Sequence, residues 1–272
     1  MAEAEGPRGR VLIIAGSDSG GGAGIQADIK AVTMLGGHAM TAITAITAQD
    51  TLGVHGVWPV PLDGVLRQID VTLADIGADA IKTGMLGTAR LVEAVAEILA
   101  EKAVLVPRVI DPVMVATSGD RLVDEKAVGA IRSELVPRAR LVTPNAPEAE
   151  VLTGKAVESV DGQRRAADRL LELGAHGALV KGGHLGGNKV TDVLQTTTGE
   201  WIFESARIAT TSTHGTGCTL ASAIAALLAQ GESVPEAVEK GRDYLMGAIR
   251  AAKGFGQGHG PVHHGWLLDD EE

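Results

Sequence analysis

The single cysteine of the chain, Cys218, is the residue with the clearest potential for chemistry. It ends the small-residue turn 213–218, Thr-His-Gly-Thr-Gly-Cys, which runs directly into an apolar, helix-like segment. Free N–H groups at a helix N-terminus bind phosphate, and Gly215 and Gly217 would let a phosphate approach them closely. The helix dipole also favours a thiolate over a thiol at this position. The turn therefore predicts a phosphate site with a reactive group, although a lone cysteine can also be an inert core residue.

Other polar or glycine-rich segments follow predicted strands at several places along the chain. The carboxyl ends of parallel strands share one edge of a sheet, and ligands bind in the crevice outside that edge. We therefore expect these segments to form one rim. They are residues 16–24, 47–50, 82–86, 111–114 with 118–120, 143–148 and 181–184.

Simpler interpretations exist for some of these segments. Asn145 and Glu148 have the spacing of a helix capping box, which taken alone favours a structural role. Residues 22–27 match a loose G-x-G-x-x-A pattern, but the loop before them is too long for a dinucleotide-binding turn. The P-loop pattern G-x-x-x-x-G-K-[ST] does not occur in the sequence.

Composition argues against several classes of protein. The formal net charge is −10, whereas a nucleic-acid-binding surface needs clustered Lys and Arg. No run approaches the roughly 18 apolar residues that a membrane span requires. Residues 1–5 lack the basic-then-apolar pattern of a signal peptide, and one cysteine cannot form an internal disulfide. We expect a cytoplasmic protein with a small neutral or metal-bound substrate and no membrane or nucleic-acid partner.

Hydrophobic periodicity predicts alternating strands and helices. Strands are predicted at 10–15, 42–47, 80–82, 104–106, 109–110, 140–142, 178–180, 190–194 and 201–208. Helices are predicted at 23–35, 62–73, 89–100, 125–135, 164–173 and in two closing segments. Strands joined by helical crossovers form a parallel sheet with helices on both faces. No linker-like segment interrupts the pattern, so we expect a flexible segment 1–9 followed by a single domain over 10–268.

Nine motifs occur in order along nearly the whole chain, from about Val11 to His264. They are G-S-D-S-G-G-G-A-G-I-Q-A-D, T-A-Q-D-T, K-T-G-M-L, D-P-V-M, S-G-D, T-P-N-x-P-E-A, K-G-G-H, T-H-G-T-G-C and G-H-G-P-V-H-H. Together they resemble the hydroxymethylpyrimidine/phosphomethylpyrimidine kinases of thiamine biosynthesis, a branch of the ribokinase-like superfamily. The resemblance implies a ribokinase-like three-layer α/β sandwich and a homodimer. It also implies ATP-dependent phosphorylation of a hydroxymethylpyrimidine and then of its monophosphate.

Phosphoryl transfer needs a phosphate clamp, a cation and an acceptor for the alcohol proton. The clamp would be the backbone amides of Gly215, Thr216, Gly217 and Cys218, and Cys218 would also be the base. By resemblance, Asn145 and Glu148 would hold Mg²⁺, usually through water.

The remaining candidates would line the two sides of a cleft. The nucleotide side would contain Lys181, Thr213 and Asp111. The resemblance implies that the substrate side contains Gln49, whose amide can both donate and accept toward an aminopyrimidine edge, together with Asp28, Met85, Gly16 and Gly22. Met85 could instead be a core methionine.

Two rival functions stay open at this point. Pyridoxal is also a flat heteroaromatic hydroxymethyl compound, so a pyridoxal kinase of the cysteine-containing type is the nearer rival. A non-catalytic nucleotide- or vitamin-binding module on the same fold is the more distant one. A metal site at His259, His263 and His264 is disfavoured because their spacing is not a standard zinc pattern.

Overall fold

The computed structural model describes residues 8–116, 119 and 123–269. One mixed sheet runs through this part of the chain in the order β3-β2-β1-β4-β5-β6-β7-β8-β9. The strands are β1 Arg10–Asp18, β2 His38–Gln49, β3 Val54–Pro59, β4 Ala80–Thr83, β5 Arg108–Ile110, β6 Leu141–Val142, β7 Gly177–Val180, β8 Lys189–Thr196 and β9 Gly199–Ala206. The six central strands are parallel to one another; in sheet order they are β2, β1, β4, β5, β6 and β7. At the edges, β3 pairs antiparallel with β2, β8 with β7, and β9 with β8.

Helices cover both faces of this sheet. They are α1 Gly24–Met34, α2 Leu62–Asp75, α3 Ala89–Lys102, α4 Glu125–Ala130, α5 Ala146–Thr153, α6 Val160–Glu172, α7 Thr216–Ala229 and α8 Val234–Arg250. A π-helical turn, Ile131–Leu135, continues α4, and 3₁₀ turns occur at Val136–Arg138 and Trp266–Leu268. None of the helices in the described ranges is long and apolar enough to cross a bilayer.

Alternation along the inner strands assigns side chains to two separate cores, because successive residues of a strand point to opposite faces. Leu12 and Ile14 of β1 pack in a cluster with α2, α3, α4, α5 and α6. Val11 and Ile13 pack in a second cluster with α1, α7 and α8. The predicted three-layer sandwich, a mostly parallel central sheet with helices on both faces, is confirmed.

Three local predictions differ from the structure. The prediction of a strand at 104–106 is wrong. The segment is a turn in which Val104 and Leu105 are 67% and 95% exposed. An apolar run of three residues is too short to distinguish a strand from a turn. The loop predicted from Gly16 begins later, because β1 pairs with β2 as far as Asp18. The edge strand β3, which contains a glycine and ends on a proline, was not predicted from the sequence. Of the predicted segment 118–120, only Gly119 is among the described residues.

Candidate active site

The strand-end segments meet at one edge of the sheet, as predicted. Backbone hydrogen bonds continue from strand to strand beyond the regular ladder: Gly84 N–H donates to Ile14, Asp111 N–H to Thr83, and Lys181 N–H to Pro144. With the bond from the Thr143 N–H to Ile110, these bonds hold β1 and the loops after β4, β5, β6 and β7 side by side. A cleft residue from any one of these loops is therefore positioned by the sheet and not by its own loop alone.

The turn before α7 has the geometry of an anion site. Gly215 is the N-cap residue, with φ of 78°, and a β-carbon there would overlap the carbonyl oxygen of Gly22. Glycine is therefore required twice over, for the left-handed backbone and for the close approach. Within the described part of the chain, the N–H groups of Gly217 and Cys218 have no hydrogen-bond partner, whereas that of Thr219 donates to Gly215. These two N–H groups are available to an anion.

Lys181 and Asp111 face this turn from the sheet. A β-carbon built on Gly217 would lie 3.4 Å from Lys181 Nζ and 3.9 Å from Asp111 Oδ2. The Lys181 ammonium lies 3.3 Å from Asp111 Oδ1, which also accepts a hydrogen bond from the Thr143 hydroxyl at 3.1 Å. Burial alone would lower the pKa of Lys181, but Asp111 and Glu148 reverse this effect and raise it. The lysine is therefore a permanent cation beside the phosphate turn.

Cys218 lies in the first turn of α7, but its protonation state differs from the prediction. The residue is half-buried, and the Gly24 N–H donates to its sulfur. Burial nevertheless raises the pKa of the thiol to about 12; the Lys82 ammonium opposes this shift, and Asp28 and Asp111 reinforce it. The predicted lowering by the helix N-terminus is wrong in sign. Desolvation of the thiolate outweighs the helix dipole here.

Asn145 and Glu148 form the capping box at the start of α5. The Glu148 N–H donates to Asn145 Oδ1 at 2.9 Å, and the Asn145 N–H donates to Glu148 Oε2 at 2.8 Å. The capping interpretation is therefore confirmed. Burial raises the pKa of the Glu148 carboxyl to about 7, partly offset by Lys181.

The carboxylates at this edge fit a hydrated Mg²⁺ and do not fit a protein cage. No cluster of three or more His, Cys, Asp or Glu side chains that could hold a metal occurs among residues 8–116, 119 and 123–269. Asp111 and Glu148 are both close to Lys181, which faces the anion site. Mg²⁺ keeps several waters and binds through one or two carboxylates plus substrate phosphates, which matches this donor set. The Asn145 side chain is already engaged in the cap.

Gln49 and Met85, the residues predicted to face the substrate, are both half-buried. Met85 lines an apolar cavity of about 350 Å³ between β2, β3 and residues 85–91. A β-carbon on Gly16 would lie 2.5 Å from Met85 Cε, so Gly16 makes room for the methionine. Gln49 Nε2 lies 3.5 Å from His214 Nε2, and Gln49 Oε1 accepts a hydrogen bond from the Thr47 hydroxyl at 3.3 Å.

Asp28 and Gly22 do not occupy the positions expected of pocket-lining residues. Asp28 is fully buried, and its carboxylate is bound by Lys82 at 2.8 Å and by the Ser222 hydroxyl at 2.7 Å. No surface of Asp28 is left for a ligand in this conformation, because the ion pair draws it between α1, β4 and α7. Gly22 is also buried, and a β-carbon there would overlap the ring of His214.

One contact that joins two of the sequence motifs was not predicted. Asp18 Oδ2 lies 2.8 Å from His214 Nε2, and the two residues are 2% and 5% exposed. The only available signal was their position inside the glycine-rich loop and the phosphate turn. Thr213, assigned to the nucleotide side, has its hydroxyl 3.2 Å from His259 Nδ1, in the C-terminal segment that packs over this turn.

The chain is similar to known proteins both in sequence and in structure. Residues 18–263 match the phosphomethylpyrimidine kinase family. The chain is 48% identical to the hydroxymethylpyrimidine/phosphomethylpyrimidine kinase of Streptomyces coelicolor, with 96% of each chain covered. It is 50% identical to the thiamine biosynthesis bifunctional protein ThiED of Geobacter sulfurreducens over 97% of this chain and 54% of that longer protein.

A solved structure of an ADP complex of Bacillus subtilis pyridoxal kinase has a TM-score of 0.89 and 38% identity, covering 96% of this chain and 99% of the other. A TM-score of 0.89 over nearly the whole of both chains shows that the two proteins share one fold. The family match covers most of the chain and includes all of the strand-end segments except residues 16 and 17. The chain therefore belongs to the phosphomethylpyrimidine kinase family, whose members carry out phosphoryl transfer.

Proposed function

We propose that the protein transfers the γ-phosphoryl group of ATP to 4-amino-5-hydroxymethyl-2-methylpyrimidine and then phosphorylates the resulting monophosphate to the diphosphate, in thiamine biosynthesis and salvage. One observation carries this proposal above the others. Three features meet at one edge of the sheet: the free N–H groups of the turn before α7, the Lys181 ammonium and the Asp111 carboxylate. Gln49, at the end of β2, lies on the same edge. The name of the Streptomyces relative supports the same substrate, and the name of the Geobacter relative supports a place in thiamine biosynthesis.

Each residue of the cleft has a separate role in the proposed phosphoryl transfer. The free amides of Gly217 and Cys218 clamp the γ-phosphate, Gly215 and Thr216 shape the turn that presents them, and Lys181 neutralises the phosphate charge. Asp111 and Thr213 lie on the nucleotide side. Gln49 pairs with the aminopyrimidine, Met85 forms an apolar wall, and Gly16 and Gly22 allow the close packing around them.

Asn145 and Glu148 would hold Mg²⁺ through water, and the bound ion would offset negative charge on the phosphates during transfer. Asp28 does not contact the substrate; its buried ion pair with Lys82 stabilises the packing beneath the pocket. Cys218 acts as the proton acceptor in its thiolate form. The thiolate takes up the alcohol proton as the new P–O bond forms, and the Lys82 ammonium favours this ionised form.

A pyridoxal kinase is the second candidate, favoured by the structural similarity to the Bacillus subtilis enzyme. We expect the pyrimidine alcohol and its monophosphate to stimulate ADP release from ATP with higher kcat/KM than pyridoxal does. The measurement is a coupled assay on one preparation with the three substrates in parallel. Preference for pyridoxal would favour the second candidate, and no ADP release with any substrate would favour a non-catalytic binding module.

Glu148→Gln is expected to raise the Mg²⁺ concentration for half-maximal rate while the KM for the pyrimidine stays nearly constant. Glutamine preserves the capping box, so stability should fall by about 1 kcal/mol or less. A Mg²⁺ titration and a melting curve on the same sample would test both statements.

The matched control is Glu236→Gln, which changes the equivalent capping box of Ser233 at the start of α8. Its Mg²⁺ dependence should equal that of the wild type. If Glu148→Gln and Glu236→Gln behave alike, Glu148 is a cap only and has no part in binding the metal.

We further propose a cytoplasmic protein with a single domain over 10–268 that assembles as a homodimer. The continuous sheet supports the single domain. Exposed apolar side chains on β2 and β3, Ile46, Val57 and Trp58, support a partner surface at that edge of the sheet.

A further inference from the structure

Asp18 connects the glycine-rich loop to a residue far along the chain. Its Oδ1 accepts a hydrogen bond from the Gly20 N–H at 2.8 Å, and its Oδ2 accepts from Gly22 at 3.0 Å and Ala23 at 2.7 Å. The same Oδ2 faces His214 Nε2 at 2.8 Å, across 196 positions of sequence. One buried carboxylate therefore determines the shape of the loop and its attachment to the phosphate turn.

The hydrogen bonds to Asp18 also determine its charge. Burial opposes ionisation, but the bonds from His214 and from the N–H groups of Ala23 and Gly20 outweigh it and lower the pKa of Asp18. An ionised carboxylate only accepts hydrogen bonds, so His214 Nε2 must carry the proton in this contact. The contact is charge-assisted, which makes it stronger than a bond between neutral groups.

His214 in turn contacts three parts of the site. It directly precedes Gly215, the N-cap of α7, and its N–H donates to the Gly260 carbonyl at 3.0 Å. Its ring occupies the space that a side chain at Gly22 would fill. On the other side, its Nε2 lies 3.5 Å from Gln49 Nε2. The Nε2 proton is directed at Asp18, so the ring acts toward Gln49 as a wall and not as a hydrogen-bond acceptor.

We propose that Asp18 and His214 are positioning residues for phosphoryl transfer, holding the loop 19–23, the first turn of α7 and the Gln49 amide in one fixed arrangement. The pair thereby makes the pyrimidine side and the phosphate side of the cleft a single unit. This inference rests on the proposed function for the role of Gln49. It does not depend on that function for the coupling between the loop and the α7 turn.

The test is His214→Leu, which removes the donor and keeps a buried side chain. Losing a hydrogen bond to a charged group should lower kcat/KM for the pyrimidine roughly 10- to 100-fold. Both a lower kcat and a higher KM are expected, because the two sides of the cleft lose their alignment together. His214→Gln can still donate to Asp18 and should recover most of the loss.

A second readout is independent of substrate identity. Amide hydrogen exchange at Gly20, Gly22 and Ala23 should be at least tenfold faster in His214→Leu, because the carboxylate that binds these N–H groups loses its anchor. Asp18→Asn, which keeps the volume of Asp18, should give the same exchange pattern and the same kinetic loss. The double variant should be no worse than either single variant, since both break one contact.

The control is His263→Leu, which breaks a second His–Asp contact, the partly exposed 3.0 Å pair of His263 and Asp269. It should leave kinetics and loop exchange unchanged. Unchanged exchange in both His214→Leu and Asp18→Asn would overturn the inference, as would a His214→Gln variant no better than His214→Leu. Faster loop exchange with no pyrimidine-dependent ADP release in the wild type would count against the proposed function alone.

Discussion

Cys218→Ala is expected to fold normally, to bind ADP as the wild type does and to lose turnover by about 10²- to 10⁴-fold. The sulfur lies in the first turn of α7, next to the free amides that face Lys181 and Asp111. Alanine keeps these amides and the helix, so the phosphate clamp remains while the proton acceptor is lost. Steady-state kinetics with ADP binding by calorimetry would separate the two effects.

The raised pKa of Cys218 adds a pH signature to this expectation. At a pKa of about 12 the thiolate is a minor species at neutral pH, and its fraction rises about tenfold per pH unit. Wild-type kcat should therefore rise with pH between about 7 and 9 if the thiolate is the base. Cys218→Ala and Cys218→Ser should lack that rise. Wild-type-like turnover in the alanine variant would rule out Cys218 as the base.

Lys82→Met is expected to destabilise the protein by about 3–5 kcal/mol, the cost of leaving a buried charge without its partner. Lys82 and Asp28 are both fully buried, and their charged groups are 2.8 Å apart. The Ser222 hydroxyl donates to the same carboxylate, but burial raises the pKa of Asp28, and Lys82 is the main group that opposes this. Removing the lysine therefore leaves a buried carboxyl that must either carry an uncompensated charge or take up a proton, and both cost stability. Equilibrium urea unfolding gives the free energy directly.

Two variants make this expectation specific to the buried pair. Lys82→Met with Asp28→Leu removes both charges and should recover most of the loss, since an apolar replacement of a buried pair is often neutral. Lys189→Met breaks an exposed pair with Glu204, 3.0 Å apart, and should cost about 0–1 kcal/mol. A loss below about 1 kcal/mol for Lys82→Met would mean that water reaches the pair, against the structure.

The sequence by itself determined the layers of the fold and the edge that carries the site. Val11, Leu12, Ile13 and Ile14 alternate between two cores because a strand places successive side chains on opposite faces. Such local periodicity needs no knowledge of distant residues. The capping box of Asn145 and Glu148 was predictable for the same reason, because both partners lie within one helical turn.

Short elements and protonation states were decided by surroundings that local sequence does not contain. The apolar run 104–106 has strand composition but finds no neighbouring strand, and Leu105 is left 95% exposed. The Cys218 pKa depends on how completely the folded chain removes water from the thiol, and this burial reverses the shift that a helix N-terminus alone predicts.

Only the tertiary structure decided which polar residues meet. Asp28 is drawn away from the cleft because β4 places Lys82 beside it, 54 positions along the chain. Asp18 meets His214 because the start of α7 packs against the glycine-rich loop so closely that only glycine fits at position 215. Contacts of this kind depend on strand order and on the packing of loops across the sheet. A sequence motif can identify their members, but their pairing is a property of the fold.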